Sequence, residues 1–346
     1  MSEIIYQPSG NANRGRVVGY HCKPAPRELH IGGKKDTDGV KSARNYDGLG
    51  TSFASNYCIG FEIEKSQFHR GAVKEYALFC GFETDSSCGY EAVTNILPLL
   101  PPSYWRNKVF DMFVKANKVI DDKYSPSNEK CGGHISVSVE GMSGYQLRER
   151  MRPYMGVVYA LFRNRLKNRY CNGNLTMVDN SQDPWSSSQR GWVNGEGFGG
   201  HDKYQVFNAK ADYAELRIPS RVTSVAQLMR RYELMYLIVD CAIRKATFKS
   251  FLKKVEPIVA MMYEGDAEKI QNIMSLAVHF QEYINKGVRH EDIRKYVPRI
   301  LDEAEPETES IPEPEFLMYQ DEDTTQECTQ VQIEPIIVYQ NNNNPW

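Results

Sequence analysis

The chain has 346 residues, 41% of them hydrophobic and 25% charged, which is enough for a sizeable buried core. It contains no run of about 18 apolar residues and no apolar signal segment near its start, so we expect no membrane span and a cytoplasmic protein. None of the eight cysteines forms a C-x-x-C pair, which argues against a zinc ribbon and favours reduced thiols.

Charge is unevenly divided along the chain. All 42 Lys and Arg lie before residue 300 together with 32 of the 44 acidic residues, so this body carries +10 and the remainder −12. A basic body suits anionic ligands such as nucleotide phosphates or nucleic acid. The remainder is an acidic segment and a candidate for binding another protein.

Four regions are predicted in chain order. Residues 1–55 lack hydrophobic periodicity and are predicted to be irregular. Residues 56–250 are predicted to form the main domain and residues 251–300 a helical extension. Residues 301–346 are Pro- and Glu-rich and then Gln- and Asn-rich, a composition typical of disorder.

Within this frame, the hydrophobic pattern predicts both strands and helices. Predicted strands cover Tyr57–Lys65, Val73–Thr84, Glu91–Leu97 and Cys131–Val139, followed by a hairpin of Lys203–Asn208 and Tyr213–Pro219. Helices are predicted after the N-cap Ser103, from about Gln146 to Tyr170, and from Thr223 or Ser224 to about Ser250, with more helix between 253 and 300. The Gly- and Ser-rich residues 179–202 are long for a loop without structure, which indicates either mobility or function.

Two carboxylates share one face of the first predicted strand. Glu62 and Glu64 in GFEIE lie two apart, so Phe61 and Ile63 point the other way, into the core. The two carboxylates repel each other, and a divalent cation such as Mg²⁺ or Mn²⁺ would relieve the repulsion. An ordinary solvated strand face is the commoner explanation for an E-x-E pattern.

A second pair of charged residues follows the same spacing near residue 216. Glu215 and Arg217 in YAELRIPS share a face, as either a structural ion pair or a site for a metal and a phosphate. His134 follows two glycines, which allow a ligand to approach closely, and shares a polar strand face with Ser136. A lone histidine is more often structural, and this polar face strengthens the case for a ligand site.

The loop DSSCGYE between two predicted strands carries Asp85 and Glu91. Asp followed by Ser usually marks only a turn. In a functional site, Glu91 would add a metal ligand, and Asp85 would accept a substrate amine and assist removal of its proton.

Together these motifs resemble the putative amidoligase family, which is similar to glutamine synthetase and gamma-glutamylcysteine synthetase. The resemblance covers roughly residues 18–240. It rests on GFEIE at 60–64, ETDSSCGYEAVTNILPL at 83–99, CGGHISVS at 131–138 and AELRIPSRV at 214–222. The segment GYHCKPAP at 19–26 also looks like the one that precedes the first core strand in amidoligases.

The resemblance implies a fold and a set of roles. The fold is α+β, with a curved antiparallel sheet of the glutamine-synthetase type and helices on its convex side. Residues 56–250 would be its catalytic domain. The implied metal ligands are Glu62, Glu64, Glu91, His134 and Glu215. Asp85, Arg163 and Arg217 would be catalytic, and ATP would contact His134, Ser136, Lys203 and Arg217.

Two of these assignments depart from a clear motif match. Arg163 is one choice among several basic residues of the predicted helix, which also carries Arg165, Lys167 and Arg169. Lys203 stands where the family often has Arg, and lysine lacks the bidentate fork that clamps a carboxylate or phosphate.

The implied reaction is ATP-dependent joining of a carboxylate to an amine. ATP would convert the carboxylate to an acyl phosphate, and the amine would displace phosphate to form an amide. Residues 179–202 would form a lid that excludes water. The substrates would be amino acids, peptides or protein side chains, with no membrane partner.

Two other functions remain open at this point. The basic body and the Arg/Lys series between 148 and 169 suit a non-catalytic nucleic-acid-binding or assembly protein, although charges along a helix more often form a solvated face. A phosphotransferase on the same fold is the other alternative.

Overall fold

The structure of the chain, a computed structural model, describes residues 4–5, 15–31, 56–167 and 206–286. They all belong to one unit, Met1–Glu309. The predicted lid at 179–202, Lys203 and the acidic tail lie outside the described residues.

The centre of the fold is a mixed, mostly antiparallel sheet. Its strands are β2 (Val17–Val18), β4 (Tyr57–Lys65), β5 (Phe79–Asp85), β6 (Gly89–Thr94), β7 (Leu97–Pro98), β8 (Gly133–Val139), β9 (Phe207–Ala209) and β10 (Ala214–Leu216). Their order is β2-β5-β6-β4-β8-β10-β9, and β7 pairs with β4. A separate ribbon joins β1 (Ile4–Ile5) to β3 (His30–Ile31). Because β2 runs parallel to β5, the predicted all-antiparallel sheet is wrong at this edge.

Two predicted strands have different limits in the structure. The strand predicted from Val73 begins only at Phe79, because residues 71–78 form turns closed by local hydrogen bonds such as Phe79 N to Tyr76 O (3.3 Å). The strand predicted to Leu97 ends at Thr94. There the side chain of Asn95 accepts from Arg27 N (3.1 Å) and donates to Ala77 O (3.0 Å), so the chain leaves the ladder.

Seven α-helices lie in the described residues. They are α1 (Tyr104–Lys115), α2 (Asn117–Ile120), α3 (Gly144–Met151), α4 (Met155–Leu161), α5 (Val225–Ile243), α6 (Phe248–Met262) and α7 (Ala267–Lys286). Ser103 and Ser224 are N-caps as predicted, accepting from the amides of Arg106 and Gln227. Thr247 caps α6, so the predicted boundary after residue 250 falls inside a helix.

The helix predicted from Gln146 to Tyr170 is interrupted. Pro153 lacks an amide hydrogen, and the chain forms a 3₁₀ turn, Arg152–Tyr154, between α3 and α4. A second 3₁₀ segment, Arg163–Lys167, follows α4. Because a 3₁₀ helix has three residues per turn, the side chains after Leu161 point in different directions from those of a continuous α-helix.

The two faces of the sheet differ as the strand alternation predicts. Phe61 on β4 and Ile135 on β8 are buried on the helix-covered face, where the Phe61 ring meets Phe113 of α1 edge-on at 5.9 Å. The opposite face carries Glu62 and His134, which are cross-strand partners. One face therefore forms the core, and the other gathers polar side chains.

Lys65 anchors the end of β4 in the core. Its side chain is fully buried, and its ammonium donates to Ile120 O (2.6 Å), Asp122 Oδ1 (2.6 Å) and Val222 O (2.8 Å). Burial lowers the pKa of this group, and the nearby Asp122 opposes that effect. The strand that carries Glu62 and Glu64 is thus tied to α2 and to the segment before α5.

Two broader expectations concern membranes and thiols. Within the described ranges, every helix is too short or too polar to cross a bilayer. The six cysteines in these ranges are free thiols, as predicted, at positions 22, 58, 80, 88, 131 and 241.

Candidate metal centre

The register of three strands brings the polar motifs together. β4 lies between β6 and β8, which places Glu64 opposite Glu91 and Glu62 opposite His134. On the far side of β8, Glu215 of β10 is opposite Ser136. Residues distant in sequence thus form one row across the polar face.

Glu62, His134 and Glu215, called the triad below, form the closest group of possible metal ligands in this row. One ligand atom from each lies within 4.8 Å of the other two. His134 Nδ1 is 2.8 Å from Glu62 Oε2 and 3.9 Å from Glu215 Oε1. His134 and Glu215 are buried, while the Glu62 side chain keeps 30% of its exposure. The triad is therefore open to a ligand from the side of Glu62.

The charges of the triad depend on one another. Burial alone would raise the pKa of Glu62, but the hydrogen bond and charge of His134, followed by the charges of Lys23 and Arg217, lower it to about 2. Burial and Arg217 act to lower the pKa of His134, but the surrounding glutamates outweigh them and raise it. Without a metal, the surrounding carboxylates thus favour the protonated form of His134.

The donor set of the triad suits a divalent cation. Carboxylate oxygens are typical ligands of Mg²⁺ and Mn²⁺, and imidazole favours transition metals, so Mn²⁺ fits both donor types. An ion bound between Glu62 and His134 would displace the proton that they share, because metal and proton compete for the same atoms.

Arg217 directly follows β10 and lies at the edge of the triad. Its Nη1 lies 2.5 Å from Glu215 Oε1, and the side chain is 13% exposed. Its Nε is buried and lacks a hydrogen-bond partner among the described residues. A guanidinium with a spare donor next to a cation site can bind a phosphate oxygen.

Glu64 lies next to the triad and is held by the backbone. Its Oε2 accepts from Gly132 N (2.6 Å), and its Oε1 is 3.5 Å from His134 Nε2. A Cβ on Gly132 would lie 3.2 Å from both His134 Nε2 and Arg165 Nη2. The glycine thus makes room for side chains of the protein itself.

Arg165 lies beside the triad, next to Gly132. Arg165 Nη1 donates to Cys131 O (3.3 Å), and its Nη2 lies near Gly132. Arg163 is buried and donates from Nη1 to Ala160 O (3.0 Å) in its own turn. The sequence did not single out one of these basic residues, and the 3₁₀ segment Arg163–Lys167 sets the directions of their side chains.

A second charged group, called the Lys23 cluster below, occupies the other end of the row. It consists of Lys23, Glu83 and Glu91. Lys23 Nζ lies 2.6 Å from Glu83 Oε1 and 2.6 Å from Glu91 Oε1. Burial and the charge of Glu62 raise the pKa of Glu91 to about 7 against the effect of Lys23, and the two carboxylates raise the pKa of Lys23 against the effect of burial. The expected metal ligand Glu91 is thus already paired with a cation of the protein.

The Asp85 carboxylate is hydrogen-bonded within the turn that follows it. Its Oδ1 accepts from Ser87 N (2.6 Å), from Ser87 Oγ and from Cys88 N (3.3 Å). Burial would raise the pKa of this carboxyl, but these bonds lower it. The contacts match the turn interpretation of DSS and provide no contact with the triad.

A cleft of about 350 Å³ opens beside Glu62 on the polar face. Gly60 and the half-buried Ser136 form part of its wall, together with Thr94 and the β9–β10 turn at Tyr213. Gly60 has no side chain and Ser136 a small one, so this part of the wall is formed by little more than the strands β4 and β8. Glu62 is the member of the triad that lines this cavity, which is large enough for a small molecule.

Three residues near the site were not selected from the sequence. Glu83 could have been found by alternation, because it lies two residues before Asp85 on the same strand. Lys23 lies in the GYHCKPAP segment. This segment contributed to the resemblance to amidoligases, but it assigned no role to Lys23. Arg165 was among the alternatives, and nothing in the sequence distinguished it from its neighbours.

Neither protein-family models nor curated proteins show a match to this chain. The functional argument therefore depends on the geometry of the triad and its surroundings.

Proposed function

We propose that the protein is an ATP-dependent carboxylate–amine ligase whose triad binds a divalent cation. The observation that carries the proposal is the convergence of Glu62, His134 and Glu215 from three different strands to within 4.8 Å. The resemblance to amidoligases implied each of the three as a metal ligand. Unrelated acidic strand faces would have no reason to place these three residues in one cluster.

The surroundings of the triad suit phosphate chemistry. Arg217 borders it with a side chain that is 13% exposed, and Arg165 lies beside Gly132. In phosphoryl transfer the protein mainly positions the groups and neutralises charge. A bound Mg²⁺ or Mn²⁺ would neutralise phosphate oxygens of ATP. Arg217 would bind the phosphate being transferred, and Glu62 and Glu215 would fix the cation in the row.

The proposed reaction takes place at the mouth of the cleft. A substrate carboxylate would accept the terminal phosphoryl group of ATP, and an amine would then displace phosphate and form the amide. The size of the cleft suits an amino acid or a single side chain. The glutamine-synthetase-like form of the sheet, with a concave catalytic face, is part of this proposal.

Cation binding and turnover test the proposal separately. Wild-type protein titrated with Mn²⁺ should show a saturable site by electron paramagnetic resonance, and Glu62→Gln should weaken it by about 100-fold because a charged ligand is lost. With Mg²⁺, ATP and a panel of amino acids and amines, the wild type should release ADP and form an amide.

Glu140→Gln is the matched control, because Glu140 is an exposed glutamate just after β8. It should bind Mn²⁺ and turn over like the wild type. Equal ADP release by the wild type and Glu62→Gln would contradict the assignment of the triad. Phosphorylated product without amide would indicate a phosphotransferase instead.

A further inference from the structure

The Lys23 cluster places a cation of the protein where the resemblance expects a metal. Lys23 Nζ is 2.6 Å from one oxygen of Glu83 and 2.6 Å from one oxygen of Glu91. Glu83 is 2% exposed and Glu91 7% exposed. The ammonium thus sits between two buried carboxylates, much as a small cation would.

The N-terminal segment holds Lys23 in this position. β2 pairs with β5 in parallel, with Val18 opposite Glu83. The backbone amide of His21 donates to Glu83 Oε2 (2.8 Å), which uses the second oxygen of that carboxylate. The segment that carries Lys23 is therefore held beside Glu83 by strand pairing and by the His21 amide, and the Lys23 side chain reaches from there to Glu91.

The ammonium and a divalent ion would compete for these oxygens. A charge of +1 and a charge of +2 about 4 Å apart repel each other even in water, and more strongly in a buried site. Glu91 is the cross-strand partner of Glu64, so an ion bound at Glu91 would also lie on the strand next to Glu64. Lys23, Glu83 and Glu91 therefore do not fit a second metal ion.

We propose that the Lys23 ammonium is a resident cation that takes the place of a metal ion at Glu83 and Glu91. The row then binds one divalent ion, at the triad, and Glu91 is not a metal ligand. The single-ion count rests on the proposed function of the triad. The exclusion of metal by Lys23 is tested independently of it.

The decisive experiment counts Mn²⁺ ions by electron paramagnetic resonance in the full chain. The wild type should bind one ion, Lys23→Ala two, and Lys23→Arg one, because arginine keeps a positive charge. In Lys23→Ala/Glu83→Gln the new site should weaken by at least about 10-fold, since one of its two carboxylates is removed. Two ions in the wild type, or no additional ion in Lys23→Ala, would overturn the proposal.

A second measurement applies if Lys23→Ala does not fold. If Glu91 is not a ligand, Glu91→Gln should change the Mn²⁺ affinity by less than about 5-fold, a charge effect alone. A loss of about 100-fold would make Glu91 a ligand and overturn the proposal. If the wild type binds no Mn²⁺ while Lys23→Ala binds one, the metal site of the triad fails and the role of Lys23 stands.

Discussion

The Lys23 cluster and the triad solve the same electrostatic problem in different ways. Each contains two glutamates on one polar face. In the Lys23 cluster an ammonium of the chain pairs with both carboxylates at 2.6 Å. In the triad the compensating groups are an imidazole that can lose its charge and Arg217, which is paired with Glu215. The first arrangement is complete within the chain, whereas the second leaves room for an external cation.

This comparison separates stability from binding. A buried carboxylate with a permanent partner contributes to the folded state, and removal of the partner leaves an uncompensated charge. A cluster that can exchange a proton for a metal is better suited to ligand binding. We expect substitutions in the Lys23 cluster to affect folding most, and substitutions in the triad to affect metal affinity most.

Loss of Lys23 should have the largest effect. Lys23→Met should lower the free energy of unfolding by about 3 kcal/mol, because Glu83 and Glu91 lose their buried partner. Urea denaturation in the presence of a chelator measures the change. Lys253→Ala, at an exposed lysine of α6, is the control and should stay within about 0.5 kcal/mol. Equal stabilities of Lys23→Met and the wild type would remove the contrast between the two groups.

Loss of His134 should affect binding before folding. His134→Ala should reduce Mn²⁺ affinity by about 100-fold, equivalent to about 2.7 kcal/mol, because one of three ligands is removed. The measurement is calorimetric titration at pH 8, where protons compete least with the metal. An unchanged affinity would mean that the ion binds elsewhere in the row.

The pH dependence of stability should distinguish Glu91 from its neighbours. Its pKa is about 7 in the folded protein against an ordinary value of 4.5, so the folded state binds this proton more tightly. The resulting stabilisation is complete below pH 4.5 and is lost as the pH rises through 7. In metal-free protein, Glu91→Gln should reduce the fall in stability between pH 5 and 8 by about 2 kcal/mol. The same pH slope in both proteins would show that Glu91 is ionised throughout this range.

The smallest effect is expected at the glycine beneath the site. In Gly132→Ala the new Cβ would lie 3.2 Å from Arg165 Nη2 and His134 Nε2, so these side chains must shift. The cost should be about 1 kcal/mol in stability, with a reduction in Mn²⁺ affinity of several-fold. Gly19→Ala is the control, because its nearest contact would be Cys22 Sγ at 3.9 Å. Thermal unfolding and Mn²⁺ titration of both variants decide the outcome.

The sequence predicted the faces of the strands better than the neighbours of the strands. A period of two residues places Glu62 with Glu64, and His134 with Ser136, whatever the tertiary structure. It cannot show that β4 lies between β6 and β8, because strand order depends on contacts between distant segments. The resemblance implied a common concave face for these residues and did not give the order of the strands.

Two residues of the implied site have local contacts that the sequence analysis did not anticipate. Asp85 lies where a turn can use its carboxylate, and its backbone partners are only two and three residues away. Arg163 was one choice among several basic residues, and it lies in a 3₁₀ segment where a helix was predicted. Lys23 lies in a segment without hydrophobic periodicity, so no sequence pattern could reveal its position. The pairing of β2 with β5 places this segment.

The hydrogen bond from Lys65 to Val222 joins residues 157 positions apart. Closing so long a loop requires nearly half of the chain, and such contacts form late in folding. During synthesis, the strand with Glu62 leaves the ribosome long before β10 and the segment around Val222 are made. A nascent chain that ends before Glu215 therefore lacks a member of the triad and one of the three partners of Lys65. The proposed metal capture would begin only after synthesis has passed Val222, and shorter chains would not compete for the ion.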